Sequence, residues 1–280
     1  PGHPHQPRRL LQRAPSRDHA HGAPPDNGRE CDNTDRERNT KRQINAHILT
    51  RGLKDDYFKK IHKLFPKINF FFHDFSDISY GSNVNLMKHI TVSTFDRLFL
   101  PRVLDKLDKV LYLDVDILVR GDVGKLYDTK LGDKVFAGKK SELDGWASLI
   151  DVITRVSLSL PPKKAWALRR RAHATGKLTA DTYNAGILLM NLKKMRDESF
   201  IENNLYLVEE LRLNDQDVMN FYSAGRALNL DGDWNYVPTQ DYSKNPKIVH
   251  WAGPAKPWKP AFALYKDEFQ AIAKELKATK

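Results

Sequence analysis

Apolar and polar positions change their period several times after residue 44. INAHILT, Ile44 to Thr50, reads as a short strand. LKDDYFKKIHKLF follows, with Leu53, Tyr57, Ile61 and Leu64 on one helical stripe, and INFFFH predicts a second strand. TVSTFDRLFLPRVL predicts a helical segment interrupted at Pro101, whose ring removes a backbone donor. KVLYLDVDILVR, Lys109 to Arg120, predicts the next strand, and DKVFAGK another; residues 143–178 are polar, basic and less regular. The unbroken apolar run of YNAGILLMNL predicts a buried strand, FIENNLYLVEELRL and DQDVMNFYSAG predict helices, and KIVHWAG predicts a late strand entering a Gly/Pro-rich loop. Strands alternating with helices predict an α/β fold with a mostly parallel central sheet and helices on both faces. Ligands then gather at the carboxyl ends of the strands.

The first 40 residues do not join this pattern. They contain no Val, Ile, Phe, Tyr, Trp or Met, and they hold six of the fifteen prolines. Their basic residues are all Arg, whereas Lys dominates afterwards. Such a segment cannot supply a core strand and is expected to be disordered or of foreign origin. The domain expectation is therefore an atypical segment over 1–43 and a folded domain over 44–280.

At 280 residues and 40% hydrophobic content, the chain can bury one large α/β core. Neither an apolar run of about 18 residues nor a charged-then-apolar leader is present, and the single cysteine, Cys31, excludes an intrachain disulfide. These features predict a cytoplasmic protein. The net charge of +11 lies almost wholly beyond residue 40, with a dense cluster in PPKKAWALRRR that includes Lys163, Lys164, Arg169, Arg170 and Arg171. Basic residues interleaved with stacking aromatics, as a nucleic-acid binder needs, do not occur. The cluster fits an anionic membrane surface, a phosphorylated acceptor, or a plainly solvated helix face.

Candidate chemistry begins inside the apolar run KVLYLDVDILVR. Along a strand, residues i and i+2 point to one side, so Asp114 and Asp116 can present both carboxylates to one point. Burying two like charges drives one to protonate unless a divalent cation offsets both. Alternatively the strand has already ended and both aspartates sit in a solvated turn. HWAGPAKPW, His250 to Trp258, adds an imidazole, a turn exposing backbone N–H groups and Lys256, the parts of a metal ligand beside a diphosphate. Asn184, Ala185 and Gly186 open a buried strand where glycine lets a ligand approach the backbone. Asp215, Gln216 and Asp217 stand at a helix start, where acids also act as ordinary caps.

The ordered series HITVSTFDRLFLP, DKVLYLDVDILVRGDVGKLYDTKLGD, YNAGILLMNLKK, NDQDVMN and HWAGPAKPW resembles the family 8 glycosyltransferases, especially bacterial enzymes that add galactose or glucose to lipopolysaccharide and lipooligosaccharide. The resemblance spans residue 44 to the C-terminus. It implies the GT-A fold, a retaining reaction, a UDP-galactose or UDP-glucose donor, a saccharide or glycolipid acceptor and Mn²⁺, with Mg²⁺ as a substitute. It further implies that Asp114, Asp116 and His250 ligate the metal, that Gly253 and Lys256 hold phosphate oxygens, and that Arg97, Asn184, Ala185 and Gly186 lie at the donor sugar. Asp215 matches a residue that binds sugar hydroxyls. Gln216 matches the position facing the anomeric carbon, and as a poor nucleophile it favours front-face attack over a covalent intermediate on Asp217.

Members of the family begin with a strand and turn like IVFAxDDNY that grip uracil and ribose, and no such stretch occurs here. The first βα unit is thus expected to be missing or corrupted, with residues 1–43 a wrongly framed or wrongly joined translation. The competing reading is a non-catalytic sugar- or nucleotide-binding relative that has lost its uridine site. A nucleotidyltransferase would need a Gly-rich phosphate loop near the N-terminus, and none is visible.

Overall fold

The computed structural model describes residues 39–78, 92–142, 147–238, 245–260 and 263–278; the atypical segment up to residue 38 lies outside them. Strand β1 (Ile44–Thr50), helix α1 (Asp55–Leu64) and strand β2 (Ile68–Asp74) form a βαβ unit, with Ile44 opposite Ile68 in parallel register. A 3₁₀ segment, Val92–Phe99, passes into α2 (Leu100–Val103). Pro101 stands in the first turn of α2, where a missing N–H has no intrahelical partner to lose.

The run read as one strand from Lys109 divides into β3 (Lys109–Leu113) and β4 (Ile117–Val119), leaving Asp114, Val115 and Asp116 as the connection. Then come α3 (Val123–Tyr127), β5 (Phe136–Lys140), α4 (Leu149–Leu158), α5 (Pro162–Ala174), β6 (Tyr183–Asn191), α6 (Leu192–Asp197), α7 (Phe200–Glu209), α8 (Asp215–Ser223), β7 (Ala227–Asn229), a 3₁₀ turn over Gly232–Asn235, β8 (Ile248–His250) and α9 (Lys266–Ala278). The stretch 143–178, read as irregular, contains two helices. Leu149, Val152, Ile153 and Val156 line the buried face of α4, and Ser148 with Asp151 forms its capping box.

The α/β class with helices over a central sheet holds, but the expected mostly parallel pairing does not describe that sheet. Its order is β3-β6-β5-β7, and β6 runs antiparallel to both β3 and β5; only β5 with β7 is parallel. The apolar run of β6 reports burial on both faces, which a covered antiparallel strand shares with a parallel one. Leu188 and Met190 enter one core cluster with Phe136 and Val218, while Ile187 and Leu189 enter another with Leu126 and Ile248. Full burial of each such side chain contributes about 1.5–3 kcal/mol. The β4–β8 ladder, antiparallel with Ile117 opposite His250, carries the imidazole next to the aspartates.

Candidate active site

Asp114 and Asp116 leave β3 at the point where β6 and β8 converge. The Asp114 N–H donates to the Gly186 carbonyl at 2.8 Å, and the Trp251 N–H donates to the Asp116 carbonyl at 3.0 Å. Val115 between them is 92% exposed. The strand has therefore ended, yet the flanking carboxylates do not face open solvent: they turn back to His250, itself 2% exposed. One ligand atom from each of Asp114, Asp116 and His250 lies within 4.8 Å of the others, with His250 Nε2 at 3.5 Å from Asp116 Oδ1 and 3.8 Å from Asp114 Oδ2. Adjacent ligands of a small octahedral cation sit roughly 3 Å apart, so modest closure suffices. Two carboxylate oxygens and one imidazole nitrogen suit Mn²⁺ or Mg²⁺, the imidazole favouring the former. Gly186 keeps this space open: a Cβ there would fall 2.2 Å from His250 Cε1 and 2.9 Å from Asp114 Oδ2.

A hydrogen-bond chain sets the tautomer of His250. The Gly186 N–H can only donate, so the atom of Asn184 that it meets at 3.0 Å is the amide oxygen. That oxygen also faces Asn235 at 2.9 Å, which must present its NH₂ there and its Oδ1 to His250 Nδ1, also at 2.9 Å. Nδ1 thus carries the proton and donates it, leaving the Nε2 lone pair directed at the two carboxylates. Asn235 is fully buried and was not anticipated from the sequence, where a single Asn in the turn DGDWN carries no periodic signal.

Arg97 locks the other side. Its guanidinium donates to Asp114 Oδ1 at 2.9 Å and to the Ala185 carbonyl, pairs through Nε with Asp215 Oδ2 at 2.9 Å, and stacks 4.4 Å from the Tyr112 ring. Tyr112, also unanticipated, donates its hydroxyl to Asp114 Oδ1 at 2.7 Å. Burial disfavours the guanidinium charge, but Asp114 and Asp215 outweigh it and hold Arg97 protonated. Burial pushes the Asp215 carboxyl up, with Arg97 opposing.

The remaining candidates separate into those that face this group and those that do not. Lys256 donates to Asp116 Oδ2 and, at 2.6 Å, to the Trp251 carbonyl. Burial would raise the Asp116 carboxyl, but the Lys256 ammonium bonded to it, joined by His250 whenever the ring is protonated, outweighs burial and lowers it. Gln216 Oε1 accepts from the Ala185 N–H at 3.1 Å and from Asn184 Nδ2 at 3.5 Å, which leaves the Gln216 NH₂ without a partner among the described residues. Asp217 turns to α4 instead, where Arg155 Nη2 meets its two oxygens at 3.0 and 2.9 Å. Gly253 lies on the loop after β8, and a Cβ added there would touch nothing within 4 Å.

The fold and motif order now have counterparts among known proteins. The family model described as glycosyl transferase family 8 matches residues 32–261. A lipopolysaccharide 1,3-galactosyltransferase of Salmonella typhimurium is 27% identical over 190 residues, 61% of this chain and 50% of the relative. A lipopolysaccharide 1,2-glucosyltransferase of Escherichia coli is 24% identical over 240 residues, 77% and 64% of the two chains. Across the first curated relatives the chain spans 50–66% of their length. The solved structure of an active-site mutant of LgtC superposes with a TM-score of 0.65 at 23% identity, covering 84% of this chain and 86% of that one, and it shares the fold. With more than half its length matched by the family model, and the aspartate pair and histidine of its motifs meeting at one point, this chain belongs to glycosyl transferase family 8.

Proposed function

We propose that residues 44–280 form a retaining hexosyltransferase that moves galactose or glucose from a UDP-sugar to a saccharide or glycolipid acceptor of a bacterial surface glycan, on the cytoplasmic side of the membrane. The observation that carries this reading is the meeting of Asp114, Asp116 and His250 around a space that Gly186 keeps clear. The Salmonella galactosyltransferase and the Escherichia glucosyltransferase to which the chain is similar support hexose as the transferred group.

Asp114, Asp116 and His250 would hold Mn²⁺ or Mg²⁺, and a cation there supplies positive charge to a diphosphate leaving group. Lys256, one side chain away on Asp116, adds a second positive charge to the same side. Arg97 and Tyr112 hold Asp114 in place, and Arg97 also ties Asp215 to the site, where the carboxylate can accept from sugar hydroxyls. Gln216 offers an amide N–H rather than a nucleophile, and Asp217 is committed to Arg155. The arrangement therefore favours front-face attack: the bond from the anomeric carbon to the departing phosphate oxygen breaks as the acceptor oxygen bonds to the same face. The acceptor's proton passes to the departing phosphate.

The test is UDP release from UDP-galactose and UDP-glucose with Mn²⁺ and a saccharide acceptor. The chain is expected to turn over at least one donor, with loss of about 10²-fold or more in Asp116→Ala. Donor binding without turnover would replace this reading with the non-catalytic one.

A further inference from the structure

A second concave site lies at the far end of α8 from the metal ligands. Its volume is about 1020 Å³, and it lies between α5, the segment after it, α7 and the end of α8. Phe221 and Tyr222 of α8 line this groove and stand roughly 10 Å along the helix from Asp215. From α5 it receives Ala167, Arg170, Arg171 and Ala174, which at spacings of three and four share one helix face. The two alanines leave room, and the two arginines supply charge.

Those charges are not neutralised locally. The Arg170 guanidinium stacks on Trp166 at 4.9 Å and that of Arg171 on Tyr206 at 5.0 Å. A guanidinium held over an aromatic ring spends little of its N–H hydrogen-bonding capacity there, which leaves donors for a planar or tetrahedral oxyanion. Among the described residues neither arginine has a carboxylate partner, and nor does Lys177 across the groove. Glu198 brings no spare negative charge, because Arg226 holds it at 2.7 and 2.8 Å and Lys194 at 3.3 Å. Three unpaired cations thus stand against Glu210 alone. The Tyr206 hydroxyl, withdrawn from solvent on the same wall, has the Arg171 guanidinium as polar neighbour at a geometry short of a hydrogen bond.

We propose that this groove binds a phosphate group carried by a saccharide or by a lipid headgroup, with Arg170 and Arg171 as its principal contacts and Lys177 and Tyr206 completing it. Assigning that phosphate to the acceptor rests on the hexosyl transfer proposed above, whereas phosphate binding itself does not. Charge-assisted contacts from planar guanidinium edges are the strong form of oxyanion recognition. The groove is also wide enough for the sugar or glycerol that carries the phosphate.

Calorimetric titration with glucose 6-phosphate, and co-sedimentation with phosphatidylcholine vesicles with or without phosphatidylglycerol, test the site in metal-free buffer without donor. Saturable binding is expected, weakened at least about tenfold in Arg170→Gln/Arg171→Gln and changed little in Lys164→Gln/Arg169→Gln, which removes equal charge outside the groove. Tyr206→Phe, which preserves the packed ring, is expected to weaken it several-fold. Binding of anionic vesicles but not the soluble phosphosugar, with the same variant pattern, identifies a lipid headgroup as the source. Equal loss in both double variants, equal binding of neutral vesicles, or no binding by the parent chain overturns the proposal. UDP release is measured separately, so loss of the groove and loss of the transferase reading give different results.

Discussion

Asn235 decides which nitrogen of His250 faces the carboxylates, and nothing in its sequence context announces that role. Asn235→Leu removes the acceptor for Nδ1–H and should weaken Mn²⁺ binding by about 10–100-fold. Calorimetry reads the affinity. Nitrogen chemical shifts of the imidazole read the tautomer, which should change from Nδ1–H to a mixture in the metal-free protein. An unchanged tautomer would remove Asn235 from this role. Gly186→Ala tests the same space from the other side, because its Cβ would meet the ring of a histidine fixed in β8. Overpacking there should cost about 1–3 kcal/mol of stability in urea unfolding and also reduce Mn²⁺ affinity. At this scale the sequence was legible where chemistry is local: Asp114, Asp116 and Lys256 stand in short motifs. Asn235 acts through His250 and Asn184, 15 and 51 positions away, so spacing alone could not show it, whereas Tyr112 stands two positions before Asp114 but reads as one more apolar residue of the strand.

Helices α4 and α8 are joined by an ion pair whose carboxylate is buried, with a pH-dependent consequence. Burial pushes Asp217 up to about 6 although Arg155 opposes the shift. In the unfolded chain an aspartate titrates near 4. Between those values the native state holds more protons than the unfolded one, so this carboxyl favours folding below about pH 4. That contribution is lost as pH rises to about 6. The effect is on the order of 3 kcal/mol, about two units of displacement. The unfolding free energy of the parent chain minus that of Asp217→Asn should therefore fall by that order between pH 4 and 7; a constant difference would show that Asp217 titrates normally. Helix α4 itself was legible but unread: its apolar spacing and its Ser148–Asp151 cap are both in the sequence, and the basic run that follows masked them. The break between β3 and β4 stood in the sequence only as one of two alternatives, because apolar residues flank the aspartates on both sides.

At the scale of the whole molecule, the candidate metal site ties together segments that are remote in the chain. Asp116 and His250 are 134 positions apart, and the β4–β8 ladder that joins them has only three residues in each strand. Alternation of strands and helices conveyed the α/β class, whereas the direction of β6 against its neighbours depends on long-range pairing that a continuous apolar run does not encode. A ligand that bridges such remote segments binds the folded chain and not the unfolded one, and so stabilises the fold by mass action. At a free Mn²⁺ concentration one hundred times its dissociation constant the gain is about 2.7 kcal/mol. For a domain of this size that corresponds to a rise of roughly 5–10 °C in Tm. The parent chain should show this rise in calorimetry and lose it on chelation with EDTA. His250→Ala, which deletes the distant ligand and leaves both aspartates, should show little rise. An equal rise in the variant would mean that Mn²⁺ acts elsewhere, and the three residues would then be a hydrogen-bonded corner of the sheet rather than a metal site.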